Sequence, residues 1–317
     1  MSDLPKFVHI MDTGPRDGLQ IEPKFVPTAD KIRMIEALAD AGVPEIESGS
    51  FVNPRAVPQM ADADEVFAGI RRKAGVAYRA LWLNPKGLER AIANGHVDIT
   101  GKLTMTASET FVRRNTNRGI DDTFKEMPDW IARYKVAGIE VSSLGVMAAF
   151  GCNFEGYIPQ ERVVELIGRT QGVMAEHGCT LERLNLADTM GWGSPMQVKR
   201  LVGAVRERWP ELRIKLHLHD TRGQAVANAV AAMELGVAHF DASVGGLGGC
   251  PFAGHKGAAG NIATEDLVFS CEQMGIETGI DLDAMVAVAR LVEGFVGHEL
   301  PGKVMKGGTL SRFKTMH

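Results

Sequence analysis

With 317 residues, 45% of them hydrophobic and 23% charged, the chain has ample apolar material for a large buried core. A formal charge of −4, few aromatics and no basic run exclude a nucleic-acid footprint. Four widely spaced cysteines without C-x-x-C spacing exclude a disulfide framework or a zinc ribbon and favour a reducing compartment, the cytoplasm.

Met1–Lys6 has neither an apolar signal core nor an Arg-rich amphipathic stretch, and no apolar segment is long enough for a bilayer, so a membrane partner is not expected. From there the chain reads as alternating strands and helices. Strands are predicted near residues 7–12, 43–51, 76–83, 97–105, 139–147, 180–187, 213–219 and 238–244. Amphipathic helices lie between them, for example Thr28–Ala41 and Pro195–Arg208. Thr28 and Ser194 are the expected N-caps, the latter followed by Pro195.

One phrase recurs: helix, small residue, glycine, apolar strand. It appears around Gly42, Gly95, Gly138, Gly178 and Gly236. Glycine suits the residue after a helix, where a left-handed backbone penalises a Cβ. A strand soon afterwards is the signature of a parallel α/β sheet. Eight strands alternating with helices favour a closed (β/α)8 barrel over an open doubly wound sheet, and neither a G-x-G-x-x-G after the first strand nor a Walker lysine is present. We expect a single catalytic domain over 1–317, with the barrel at about 5–280 and extra C-terminal helices at about 281–317.

In such a barrel, chemistry sits at the C-terminal ends of the strands. Arg16 and Asp17 follow the first strand, Glu47 lies late in the second, and Asp188 ends the sixth. The seventh, Arg213-Ile-Lys-Leu-His-Leu-His219, puts Ile214, Leu216 and Leu218 on one face and Lys215, His217 and His219 on the other. Same-face residues stand roughly 6–7 Å apart, so both imidazoles can reach one metal ion. Cys250 lies in a glycine-rich loop after the eighth strand, and Asn261 opens the next helix. Taken singly, each has a plainer reading: a half-buried histidine pair, an Arg–Asp ion pair, a loop turn at Asp188, a small buried cysteine, an N-cap asparagine. Their convergence on one rim favours the functional reading. Cys152, Cys179 and Cys271 read as packing residues, and the four tryptophans carry no spacing signal.

These phrases resemble the DRE-TIM metallolyases, and within them the 3-hydroxy-3-methylglutaryl-CoA lyase (HMG-CoA lyase) family. The likeness is carried by Gly14-Pro-Arg-Asp-Gly-Leu-Gln20, Ile46-Glu-Ser-Gly-Ser-Phe51 with Val57-Pro-Gln-Met60, Ala107-Ser-Glu109 with Asn115, and Asp188-Thr-Met-Gly191. It continues in His217-Leu-His-Asp-Thr221, Gly245-Gly-Leu-Gly-Gly-Cys-Pro251 and Gly260-Asn-Ile-Ala-Thr-Glu-Asp266. The resemblance implies that Asp17, His217, His219 and Asn261 hold a divalent cation, Mg2+ or Mn2+. It implies that Arg16 faces the thioester oxygen, that Cys250 handles a proton, and that Glu47, Asp188 and Glu265 support the site, with Gln20 and Glu265 toward the substrate. The implied reaction is retro-Claisen cleavage of a branched 3-hydroxyacyl-CoA, with His217 or Asp188 as proton acceptor and His217 preferred. An acyl-CoA substrate, a homo-oligomer (dimer or larger) and a place in leucine degradation follow from the same likeness.

The pattern departs from that family at Ile21, Glu22 and Pro23, with Lys24 displaced by one. It departs again at Ser143, where an arginine is common, and in a Cys250–Asn261 loop two residues longer, in which His255 and Lys256 offer a replacement cation. Citramalyl-CoA or methylmalyl-CoA is therefore an alternative substrate. Rival readings are an isopropylmalate- or homocitrate-synthase-like condensing enzyme, a pyruvate aldolase or carboxyl-transfer subunit, and an inactive metal- or CoA-binding scaffold.

Overall fold

The computed structural model describes residues 4–248 and 260–311. In chain order the strands are β1 His9–Asp12, β2 Glu45–Ser50, β3 Ala77–Leu81, β4 Gly101–Thr106, β5 Val141–Met147, a small hairpin of β6 Gly151–Cys152 and β7 Gly156–Tyr157, β8 Arg183–Asp188, β9 Arg213–Leu218 and β10 His239–Ala242. Apart from the hairpin, these match the eight expected strands. The helices are α1 Thr28–Asp40, α2 Ala63–Gly69, α3 Pro85–Asn94, α4 Glu109–Thr116, α5 Ile120–Val136, α6 Gln160–Glu176, α7 Pro195–Arg208, α8 Ala225–Met233, α9 Thr264–Gln273, α10 Leu282–Val296 and α11 Val304–Gly307. The chain divides into two compact units, one formed by Lys6–Ile99 with Phe240 onward, the other chiefly by Thr100–His239.

In the first unit the strand order is β3-β2-β1-β10. β1 and β2 run parallel, as do β2 and β3, with an irregularity between Glu47 and Gly49. Helices α10 and α11 are the extra C-terminal helices, and Asp281 caps α10 by accepting the Ala284 N–H at 2.9 Å. Thr28 is not the cap of α1. Its hydroxyl is drawn to Asp62 Oδ2 at 2.8 Å, and Pro27 takes the flanking position. The fourth predicted strand starts later than expected, at Gly101. Asp98 instead secures β3, its amide donating to Tyr78 O at 2.9 Å and its carboxylate accepting the Tyr78 N–H at 2.7 Å.

In the second unit the order is β9-β8-β5-β4, all parallel, with Ser143 opposite Arg183 and Ala187 opposite His217. Within β9 the expected alternation holds, with Ile214, Leu216 and Leu218 buried and Lys215 and His217 part-exposed, but His219, one residue past the strand, is buried. Burying each of those aliphatic side chains is worth roughly 1.5–3 kcal/mol, which sets the strand's facing. At α7 the expected cap is present in full. Ser194 Oγ accepts the Gln197 N–H and Gln197 Oε1 accepts the Ser194 N–H, with Pro195 at the first helical position.

The five glycines of the repeated phrase all have positive φ: Gly42 at 97°, Gly95 at 75°, Gly138 at 69°, Gly178 at 63° and Gly236 at 76°. Gly42 is tightly constrained, because a Cβ there would stand 2.5 Å from the Gly279 carbonyl oxygen. Gly42→Ala is therefore expected to lower stability by about 2 kcal/mol, measured by urea denaturation. A change within about 0.5 kcal/mol would show that this backbone approach is not constraining.

Candidate functional site

Two clusters of the expected residues form, one in each unit. In the first, β1 ends at Asp12, and the Thr13 N–H donates to Ala242 O at 2.7 Å. The chain then winds into a five-residue turn, Gly14–Gly18, in which the N–H groups of Arg16, Asp17 and Gly18 all donate to Thr13 O. That turn presents two consecutive side chains. Arg16 Nε donates to Glu47 Oε2 at 2.6 Å, and Arg16 Nη1 to Asp17 Oδ1 at 2.6 Å. The guanidinium is thus locked between two carboxylates with only 13% of its side chain exposed. Burial pulls its pKa down, but Glu47, Asp17 and Asp241 more than offset this and hold it above the ordinary value. Arg16 is a fixed cation.

The other oxygen of Asp17, Oδ2, accepts a hydrogen bond from Asn261 Nδ2 at 2.8 Å, and the same Nδ2 donates to Leu247 O at 3.1 Å. Asn261 is not the N-cap of α9, which starts at Thr264 after Ala263. Its Oδ1 is buried and has no hydrogen-bond partner among the described residues. A buried amide oxygen left open costs about 1–3 kcal/mol unless something fills it. A hard divalent cation is a suitable partner for such an oxygen beside a carboxylate.

Glu265, expected near substrate, is wholly buried and accepts the Gly245 N–H through Oε2 at 3.0 Å. Burial pushes its carboxyl up to about 8, and the neighbouring acids Asp266 and Asp12 push the same way. The native state therefore keeps a proton that an unfolded glutamate releases near 4.5. Below that pH the group costs nothing, and stability falls as pH rises from there through about 8. We expect the stability gain of Glu265→Gln over the native chain to grow across this window in urea titrations. A gap that stays flat with pH would show that Glu265 does not carry the effect. Gln20 is half-buried in the turn after Gly18.

In the second unit, His217 Nε2 and His219 Nε2 lie 3.1 Å apart. Two ring nitrogens aimed at each other either share one proton or turn both lone pairs to one ion. Asp188, the last residue of β8, is fully buried. Its Oδ1 accepts the Trp192 N–H and its Oδ2 the Gly193 N–H, each at 2.8 Å. Burial raises its pKa to about 6, held back by those N–H groups and by the positive side of Arg222 and His217.

Arg222 and Trp192 were not among the expected site residues. Arg222 Nη1 donates to the carbonyls of Met190 and Gly191 at 2.9 and 3.0 Å, and its guanidinium lies 3.5 Å from the Trp192 ring centre. The Trp192 indole N–H donates to Asn153 Oδ1 at 2.6 Å. Together these contacts tie the loop after β8 to the loop after β9 and fix Asp188. An arginine three residues beyond the His-x-His pair was the only available signal. Ser143 accepts a hydrogen bond from Arg183 Nε at 2.9 Å, so a guanidinium does reach that position, from the neighbouring strand. Cys250, His255 and Lys256 lie outside the described residues.

Comparison with known proteins adds an independent finding. The HMGL-like family model matches residues 7–292. The mitochondrial hydroxymethylglutaryl-CoA lyase of Rattus norvegicus is 40% identical over 304 residues, covering 96% of this chain and 90% of the relative. Among solved structures, the HMG-CoA lyase of Bacillus subtilis superposes with a TM-score of 0.87 at 38% identity, over 96% of this chain and 98% of that one. An Acinetobacter baumannii HMG-CoA lyase in complex with coenzyme A and 3-methylmalate gives 0.85 at 39% identity, over 96% and 95%. The carboxyl transferase domain of Rhizobium etli pyruvate carboxylase, at 18% identity and a TM-score of 0.65, shares the fold alone. The fold is the (β/α)8 barrel of the lyase structures, with C-terminal helices added.

Proposed function

Because the chain belongs to the HMGL-like family, we propose that it is a divalent-metal-dependent carbon–carbon lyase that splits 3-hydroxy-3-methylglutaryl-CoA into acetyl-CoA and acetoacetate. The observation that carries this reading is 40% identity to a curated lyase over 96% of the chain. The Arg16–Asp17–Glu47 cluster and the His217–His219 pair are the residues that this chemistry requires. The aldolase and carboxyl-transfer readings lose ground, since an aldolase-like domain and a carboxyl transferase domain match at only 17% and 18% identity.

In this reading, as the family likeness implies, Asp17, His217, His219 and Asn261 would hold one Mg2+ or Mn2+. The open Asn261 oxygen and the facing imidazole nitrogens fit that donor set. When bound, the cation supplies the Lewis acidity that lets an alcohol ionise near neutral pH. The protein's own groups then do the rest. His217 accepts the proton of the C3 hydroxyl, and the anionic form of Asp188 close by favours the resulting imidazolium. The C2–C3 bond breaks and its electron pair moves onto the thioester as an enolate, while C3 becomes the ketone of acetoacetate. Arg16 steadies the enolate oxygen, its guanidinium already oriented by Glu47 and Asp17. The thiol of Cys250 delivers a proton to C2, which completes acetyl-CoA. Gln20 and Glu265 are assigned to substrate support, Glu265 through the Gly245 backbone.

The same reading makes the chain one catalytic domain, cytoplasmic and homo-oligomeric, acting in leucine degradation. Among the described residues no helix is long and apolar enough to cross a membrane. The test is release of free acyl-CoA product from 3-hydroxy-3-methylglutaryl-, citramalyl- and methylmalyl-CoA. Chelator should abolish turnover of the first and Mn2+ should restore it. A preference for either of the others would reassign the substrate, and cleavage of none would reject the lyase reading.

A further inference from the structure

We propose that Asp12 is a positioning residue: braced against Thr264, its carboxylate holds Asp17 and Asn261 in register as a pair of cation ligands. This rests on the metal-lyase reading above. Asp12 is completely buried, and both of its oxygens are used. Oδ1 accepts the Gly14 N–H at 2.8 Å, and Oδ2 accepts the Thr264 hydroxyl at 2.6 Å.

Each partner leads directly to a proposed ligand. Gly14 opens the tight turn that displays Arg16 and Asp17. Thr264 is the first residue of α9, three residues after Asn261. The intervening stretch is pinned by backbone bonds, Ser243 N–H to Ile262 O at 2.9 Å and Thr264 N–H to Ser243 O at 3.1 Å. A shift of Thr264 must therefore carry Asn261 with it. The fit at Gly14 is tight as well, since a Cβ there would come within 2.8 Å of Asp12 Oδ1 and 2.9 Å of Val244. Two ligands far apart in sequence, already joined by the Asn261–Asp17 hydrogen bond, thus share one internal brace. Keeping a carboxylate dry is costly, and burial pushes this one up to about 6 despite its hydrogen bonds. A side chain needed only for packing at this site would be apolar.

The test uses the full-length protein and Mn2+ alone as the probe, in equilibrium titrations without substrate. Asp12→Ala and Thr264→Val are expected to weaken Mn2+ binding about 10–100-fold, as loss of an outer-sphere support typically does. Asp12→Asn should restore affinity to near that of the native chain, since the amide accepts from Gly14 and the Thr264 hydroxyl can turn to accept from its nitrogen. Amide exchange over residues 14–18 should accelerate in Thr264→Val, which keeps the fold even if Asp12→Ala does not. Lower melting temperatures with unchanged Mn2+ affinity and unchanged exchange would overturn the proposal and leave Asp12 a purely structural residue. If the native chain takes up no Mn2+, the metal reading falls. The brace is then judged on the exchange data alone, acceleration upholding it and its absence overturning it.

Discussion

His217→Ala is expected to strip the bound cation and lower turnover about 10³-fold, while the folded chain persists. The side chain stands at the end of β9 with its Nε2 3.1 Å from that of His219, on the part-exposed face of the strand. Alanine leaves the buried face of Ile214, Leu216 and Leu218 untouched, so the strand keeps its packing. Two functions disappear together in the proposed mechanism: one metal ligand and the acceptor of the hydroxyl proton. Metal content after desalting and steady-state turnover check this, with circular dichroism as the control for folding. Retained metal with lost turnover would make His217 a base alone. Full activity would remove it from the site.

Arg16→Gln is the second large effect, and its signature is different. Metal content should stay near that of the native chain while turnover falls about 10²–10³-fold, the usual cost of removing one donor to a developing oxyanion. Glutamine retains a donor for Glu47 or Asp17 but supplies no charge. Because those two carboxylates then face each other without their shared cation, stability should also drop by about 2 kcal/mol. Lysine is not an adequate substitute, since a single ammonium cannot bridge Glu47 and Asp17 as the forked guanidinium does. Turnover on 3-hydroxy-3-methylglutaryl-CoA together with a urea melt would decide. A loss of metal equal to the loss of rate would show that Arg16 acts on Asp17 and not on the enolate.

Much of this was legible in the residues. The eight strands, the cap at Ser194, the left-handed glycines and the facing of β9 all came from local pattern, and the structure bears them out. The motif likeness points to the same family as the HMGL-like model, which matches residues 7–292. An expectation failed where a side chain had a choice of partner. Thr28 resembles an N-cap, yet Asp62, distant in sequence, takes its hydroxyl.

By itself the sequence determined which segments become strands and helices and which chemical groups sit at the strand ends, because periodicity, capping and turn preference act over a few residues. Only the tertiary structure decided that Arg16 is held by Glu47, that Asp12 reaches Thr264 across 252 positions, and that Arg222 braces the loop that follows Asp188. Hydrogen bonds of that kind have no sequence period. They form only once burial has brought distant segments together and left each polar group to find a partner or bear the cost of desolvation.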